Sequence, residues 1–186
     1  LNSGVEDLDL NLADFVHRVN SDLVGKFVNI ASRSASFIQK KFDGRLASAL
    51  MNQELWQSFV DKSATIANDF EKINYAKAIR EIMALADIAN QFVDQHQPWT
   101  LAKDESKLPE VQLICTQALN LFKILLIYLK PILPELALKA EAFFNIKPLT
   151  WHDLTTPLLD HQLNAFTPLI TRVDELKVNE LIQKKP

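Results

Sequence analysis

The chain has 186 residues, room for one domain or one and a half and for a sizeable core. Its 48% apolar and 23% charged residues and net charge of −3 are ordinary globular chemistry, and they argue against a protein that coats nucleic acid indiscriminately. With 3 glycines among abundant Leu, Ala, Ile, Lys and Gln, the composition favours an all-α fold, and the lone Cys115 excludes an internal disulfide or a cysteine zinc site.

The opening stretch LNSGVEDLDL is acidic, with neither the basic start nor the apolar run of a secretory leader, so a cytoplasmic protein is expected. Asn11 can cap a first helix, with Asp14 at its amino end. From Phe15 through Ile38, apolar residues recur at three- and four-residue steps, which predicts one continuous helix of about seven turns. Residues 15–45 carry six basic side chains (Arg18, Lys26, Arg33, Lys40, Lys41, Arg45) against Asp22 and Asp43, a local excess of 6 − 2 = +4. At 100° per residue, Arg18, Asp22, Asn29, Arg33, Ser36 and Lys40 share one stripe beside the apolar face.

A second helix is expected from about Gln53 to Phe70, and Asn74 is expected to cap a third that ends before Pro98. Pro98 is followed at once by Trp99, an aromatic in a break between helices. Either it folds back to cap the core, or it offers its ring to a flat ligand. Pro109 suits the first turn of a fourth helix, which is apolar almost all round towards its end and therefore central. Its longest apolar run, ILLIYL at 124–129, lies between Lys123 and Lys130 and is too short to span a bilayer. Pro134 starts a fifth helix through Phe144. From Asn145 the prolines multiply and periodicity fades, so an extended tail is predicted, then a last amphipathic helix from Asp174 using Leu176, Val178, Leu181 and Ile182. The whole reads as an antiparallel helix bundle with a folded-back tail.

Recognisable catalytic machinery is missing from the chain. The four histidines form no metal-binding pair, and the chain contains no phosphate loop, dinucleotide fingerprint or nucleophile elbow. His152 with Asp153 is a general-base pair only on paper; a capping or surface role is expected. Asn29 and Arg33, four residues apart on one helix, offer an amide and a planar fork of donors that together suit the edges of unpaired bases. A solvated polar face is the alternative, unless Trp99 packs close enough to complete the set.

Several stretches carry a family resemblance: DLDLNLADFVHRVNSDLVGKFVNIASR, FDGRLAS, YAKAIREIMALADIANQFVDQHQPWTLAK, ICTQALNLFKILLIYLKPILP and LTWHDL. In order and spacing they resemble the anticodon-binding region of bacterial methionyl-tRNA synthetases. The resemblance implies an α-helix bundle that recognises the CAU anticodon of methionine tRNAs. It also implies that Trp99, presented by Pro98, stacks on an anticodon base while Asn29 and Arg33 contact bases. Lys26, Ser36 and Lys40 then become candidates for RNA-backbone contacts. The family activates methionine with ATP in a separate catalytic domain, binds zinc there in many members, and often continues into a dimerising module. None of those residues occurs in the sequence.

The expected organisation is therefore a fragment. Residues 1–10 end the linker from the catalytic part, 11–145 form the bundle, and 146–186 form the tail and final helix, packed back on the bundle and towards the catalytic part. The fragment is expected to be a monomer without catalytic residues, metal or cofactor of its own. A helical protein-interaction module without RNA binding is the competing expectation. An enzyme using His152, Asp153 and His161 is another.

Overall fold

The computed structural model describes residues 11–174 and Val178. These residues are all-α, with no named strand; the only bridge among them is the antiparallel pairing of Arg45 with Gln162. The expected linker end at 1–10 lies outside the described residues. So does most of the last helix, including Leu176, Leu181 and Ile182. Val178 alone is seen to donate its backbone N–H to the Asp174 carbonyl at 3.3 Å.

Helix α1 (Leu12–Arg18) starts at Asn11, whose side-chain oxygen accepts the Asp14 N–H as the sequence predicts. The continuous first helix is then interrupted by a π-helical segment, Val19–Val28, before α2 (Asn29–Lys41). A π-helix bonds i to i+5 and turns less per residue than an α-helix, so the stripe drawn at constant pitch breaks here. Arg18 belongs to a separate group, paired with Asp14 at 3.2 Å and Asp22 at 3.9 Å. The stripe from Asn29 to Lys40 stays within α2 and survives.

The helix expected over 53–70 is two helices, α3 (Gln53–Val60) and α4 (Ser63–Glu71). The break frees carbonyls of the last turn of α3, and the buried Tyr128 hydroxyl takes them up, donating to Phe59 O at 2.7 Å. Asn74 precedes α5 (Tyr75–His96) but makes no side-chain cap, contrary to expectation; its backbone carbonyl alone accepts the Ala78 N–H. Helix α6 (Pro98–Leu101) is one turn, α7 (Leu108–Leu129) is the long apolar helix, and α8 (Pro134–Phe144) starts at its proline as predicted.

Helix α7 runs through the centre. It is long and apolar enough to cross a membrane, yet 89% of its most apolar stretch is buried among the other elements, which makes it a core helix. Phe27 stacks on Phe122 with ring centroids 4.7 Å apart, and Gln112 bonds the Arg45 carbonyl, so the first helical arm runs antiparallel to α7. Two ion pairs, Lys26–Asp87 and Arg33–Asp94, fix the register of that arm against α5. Both advance by seven residues on each helix, so α2 and α5 lie side by side and parallel, the α3–α4 excursion carrying the chain back between them.

Four polar residues on one face of α7 are buried, and each bonds backbone of a segment packed against α7. Thr116 accepts from Ala47 N–H at 2.9 Å and Gln117 from Asn52 N–H at 3.0 Å. Asn120 bonds both backbone groups of Leu158, and Lys123 Nζ donates to the carbonyls of Asp153 and Thr156 at 2.6 and 2.7 Å. Irregular segments need such partners because buried N–H and C=O groups left unpaired are costly. The tail is thus a strapped layer on the bundle, buried at Leu149, Leu154, Leu163 and Leu169.

The FDG turn depends on its glycine. Asp43 and Gly44 are both left-handed (φ 49° and 81°), and a Cβ on Gly44 would sit 3.1 Å from Leu163 O and 2.7 Å from the Gln162 amide nitrogen. Gly44→Ala is expected to cost about 1–3 kcal/mol of stability, measured by urea unfolding; an unchanged midpoint would show that the turn relaxes freely. Cys115 is fully buried and its thiol is pushed up to about 12 by that burial. It is expected to ignore a thiol reagent until the chain is unfolded; rapid labelling of the native protein would contradict this packing.

Candidate nucleic-acid interface

The end of α5 decides where Trp99 goes. Gln97 adopts the left-handed conformation (φ 45°) and its N–H bonds the Val93 carbonyl, closing α5. Pro98 then occupies the first position of α6, where a missing N–H costs nothing. Pro98 is itself buried, so it offers no surface to a ligand. Trp99 is 38% exposed, and the Arg33 guanidinium lies 4.5 Å from its ring centroid. The sequence left open whether Trp99 caps the core or faces outward; the ring stands at the surface with a cation against it.

Arg33 is held from two sides. Its terminal nitrogen reaches Asp94 Oδ1 at 2.7 Å, and its side chain keeps 29% of its surface. Two turns earlier Lys26 pairs with Asp87 at 2.8 Å, and Asn90 between them donates to the Lys26 carbonyl at 3.1 Å. The basic excess counted from sequence is therefore largely compensated. Arg18, Lys26, Arg33 and Arg45 each have an acidic partner, Arg45 with Asp160 at 3.9 Å, whereas Lys40 and Lys41 have none among the described residues. Lys26, a candidate backbone contact, is committed to Asp87. Ser36 donates its hydroxyl to the Arg33 carbonyl, and Lys40 is exposed and free.

Asn29 lies one turn before Arg33, partly exposed, its carboxamide unpartnered among the described residues. It lines a cleft of about 380 Å³ between the π-helical segment and the tail, shared with Ser32, Phe166, Ile170 and Arg172. The structure thus brings Arg33 and Trp99 together and sets Asn29 beside them on the same ridge of α2. Sequence reasoning missed Asp87, Asp94 and Arg172. For the two aspartates a signal existed: Lys26 and Arg33 are seven apart, and so are Asp87 and Asp94, opposite charges at matched spacing on two helices. Arg172, in a stretch without periodicity, had none.

Two residues of the hypothetical enzyme, Asp153 and His161, are used elsewhere. Asp153 forms a reciprocal cap with Thr150, whose N–H and hydroxyl hold its carboxyl below the usual range, and the His161 ring meets the Phe144 carbonyl. Among the described residues no three His, Cys, Asp or Glu side chains gather as a metal site would need.

Fold and site together define an all-α bundle domain with a cation-backed aromatic at one helix end. The family model described as the anticodon binding domain of methionyl tRNA ligase matches residues 44–172, well over half of the chain, and the chain belongs to that family. Pro98 and Trp99 lie inside the matched stretch; Asn29 and Arg33 precede it. The fold is shared with Mycobacterium tuberculosis methionyl-tRNA synthetase. Its free-state structure superposes with a TM-score of 0.80 at 20% identity, over 89% of this chain and 35% of that one. Its methionyl-adenylate complex gives 0.76 at 20% identity, over 84% and 33%. The chain spans about a third of the length of those structures.

Proposed function

We propose that the domain binds the anticodon loop of methionine tRNAs, reading CAU, on behalf of a methionine–tRNA ligase whose ATP-dependent chemistry resides outside residues 1–186. The observation that carries this is the pairing of Arg33 with the outward ring of Trp99. An aromatic face beside a planar array of donors is what an unpaired base requires: stacking for its plane, hydrogen bonds for its edge. Trp99 is the stacking platform, Pro98 its support, and Arg33 and Asn29 the edge contacts. Lys40, exposed and unpaired, attracts the RNA backbone, with Ser36 and Lys26 at the margins. Residues 11–145 form the reading bundle, and the tail straps onto it and leads towards the remainder of the ligase. The same reading makes the 186-residue chain a monomer working in the cytoplasm.

Trp99→Ala tests the site. Losing one base–aromatic stack costs about 1–3 kcal/mol of binding to a CAU stem-loop, while removing a buried Trp costs about 3–5 kcal/mol of stability. The expected result is weaker binding with a nearly unchanged melting curve. A variant that melts much earlier and, once folded, binds normally would assign Trp99 to the core.

A further inference from the structure

The cleft on the far side of Asn29 is built like a site rather than a packing gap. Val24, Gly25 and Val28 of the π-helical segment line it, and π-helical turns are a recurrent feature of functional sites. The tail contributes the apolar Phe166, Pro168 and Ile170 to the lining, and α2 contributes Asn29 and Ser32. Arg172 also lines it, exposed and without an ion-pair or hydrogen-bond partner among the described residues. The backbone next to Arg172 is fixed. Asn20 donates to Val173 O at 2.9 Å and accepts from Val173 N–H at 2.7 Å, a two-bond clasp on one tail residue. The cleft, at about 380 Å³, is within the range of roughly 300–1,000 Å³ typical of small-ligand sites.

Resting on the proposed function, we infer that this cleft is a second nucleotide subsite: it takes one unpaired loop nucleotide beside the one stacked on Trp99, with Arg172 on its phosphate. An apolar wall for the base, an amide at the edge and a guanidinium for the anion match the three parts of a nucleotide. Asn29 then stands between two bases, which accounts for its unpartnered carboxamide.

The test uses the 186-residue chain and a set of CAU stem-loops in which one loop nucleotide at a time is abasic. Arg172→Ala is expected to weaken every stem-loop in parallel by about tenfold and to flatten the salt dependence, as loss of a phosphate contact does. Ser32→Phe, which puts a bulky ring into the cleft, is expected to abolish the penalty of the abasic change at one loop position while leaving the others. If both variants bind as the wild type while Trp99→Ala weakens binding, the cleft is no subsite and the proposed function stands. If the wild type binds no stem-loop, both fall.

Discussion

Arg33→Ala is expected to weaken binding of a CAU stem-loop by roughly ten- to a hundredfold and to narrow the gap between CAU and single-base variants. The guanidinium lies over the Trp99 ring, so removing it takes away the proposed edge contact together with the cation that backs the ring. The fold has little to lose. The Asp94 partner is 59% exposed, and ion pairs of this kind contribute only about 0–1 kcal/mol. A change in affinity therefore reports on recognition, with circular dichroism as the check on helicity. Lys40→Ala is the control: a free surface cation near the backbone lowers all affinities together, and more so at low salt. Parallel losses for both variants across CAU and two altered loops would reduce Arg33 to a positive charge and remove it from base reading.

Lys123→Met is expected to have the largest effect on stability. The substitution keeps the aliphatic stem but removes the ammonium's part-buried bonds to the carbonyls of Asp153 and Thr156; the Asp153 carbonyl keeps the Thr156 N–H at 3.4 Å, while that of Thr156 loses its partner, a loss worth about 1–3 kcal/mol. The tail should loosen with it, so cleavage near residues 156–160 by a protease should accelerate. An unchanged urea midpoint would mean that water or a repacked tail replaces the lysine. The same residue leaves a mark in pH. Burial holds the Lys123 ammonium at about 8, below its ordinary 10.5, against a smaller opposing pull from Asp153. Between those values the unfolded chain carries the proton that the folded chain has shed. The penalty of holding the charge is thus full below pH 8 and is relieved as pH rises. Cys115 works the other way above pH 9, because its thiol stays neutral only when folded. The difference between wild type and Lys123→Met isolates the lysine: over pH 8–9, wild-type stability should gain on the variant. Parallel curves would contradict the burial argument.

Much of this architecture was written in local pattern. Asn11 as a cap, Pro98 as the end of α5, Pro109 and Pro134 at helix starts, and the all-round apolar character of α7 each act within a turn or two of themselves; the single turn of α6 that carries Trp99 was read only as a break between helices. What escaped depends on groups distant in the chain. Nothing near Val19 announces a π-helical segment. The break between α3 and α4 is tied to the Tyr128 hydroxyl, 69 residues beyond Phe59. Thr116, Gln117, Asn120 and Lys123 read as blemishes on an apolar helix because the backbone they satisfy lies in segments with no periodicity. The candidate site divides in the same way. Trp99 stood out because an aromatic after a proline break demands a use. Arg33 and Asn29 were legible as a pair on one helix face. Asp94, which fixes Arg33, and Arg172, which flanks Asn29, come from α5 and the tail and meet α2 only in three dimensions.

The most direct measurement is a titration of the 186-residue chain with three anticodon stem-loops, CAU and two single-base variants, at two salt concentrations. Saturable binding strongest for CAU is expected, with the preference persisting at the higher salt because base contacts carry it. Equal affinity for all three, fading together as salt rises, would contradict it and leave only a charged helical surface.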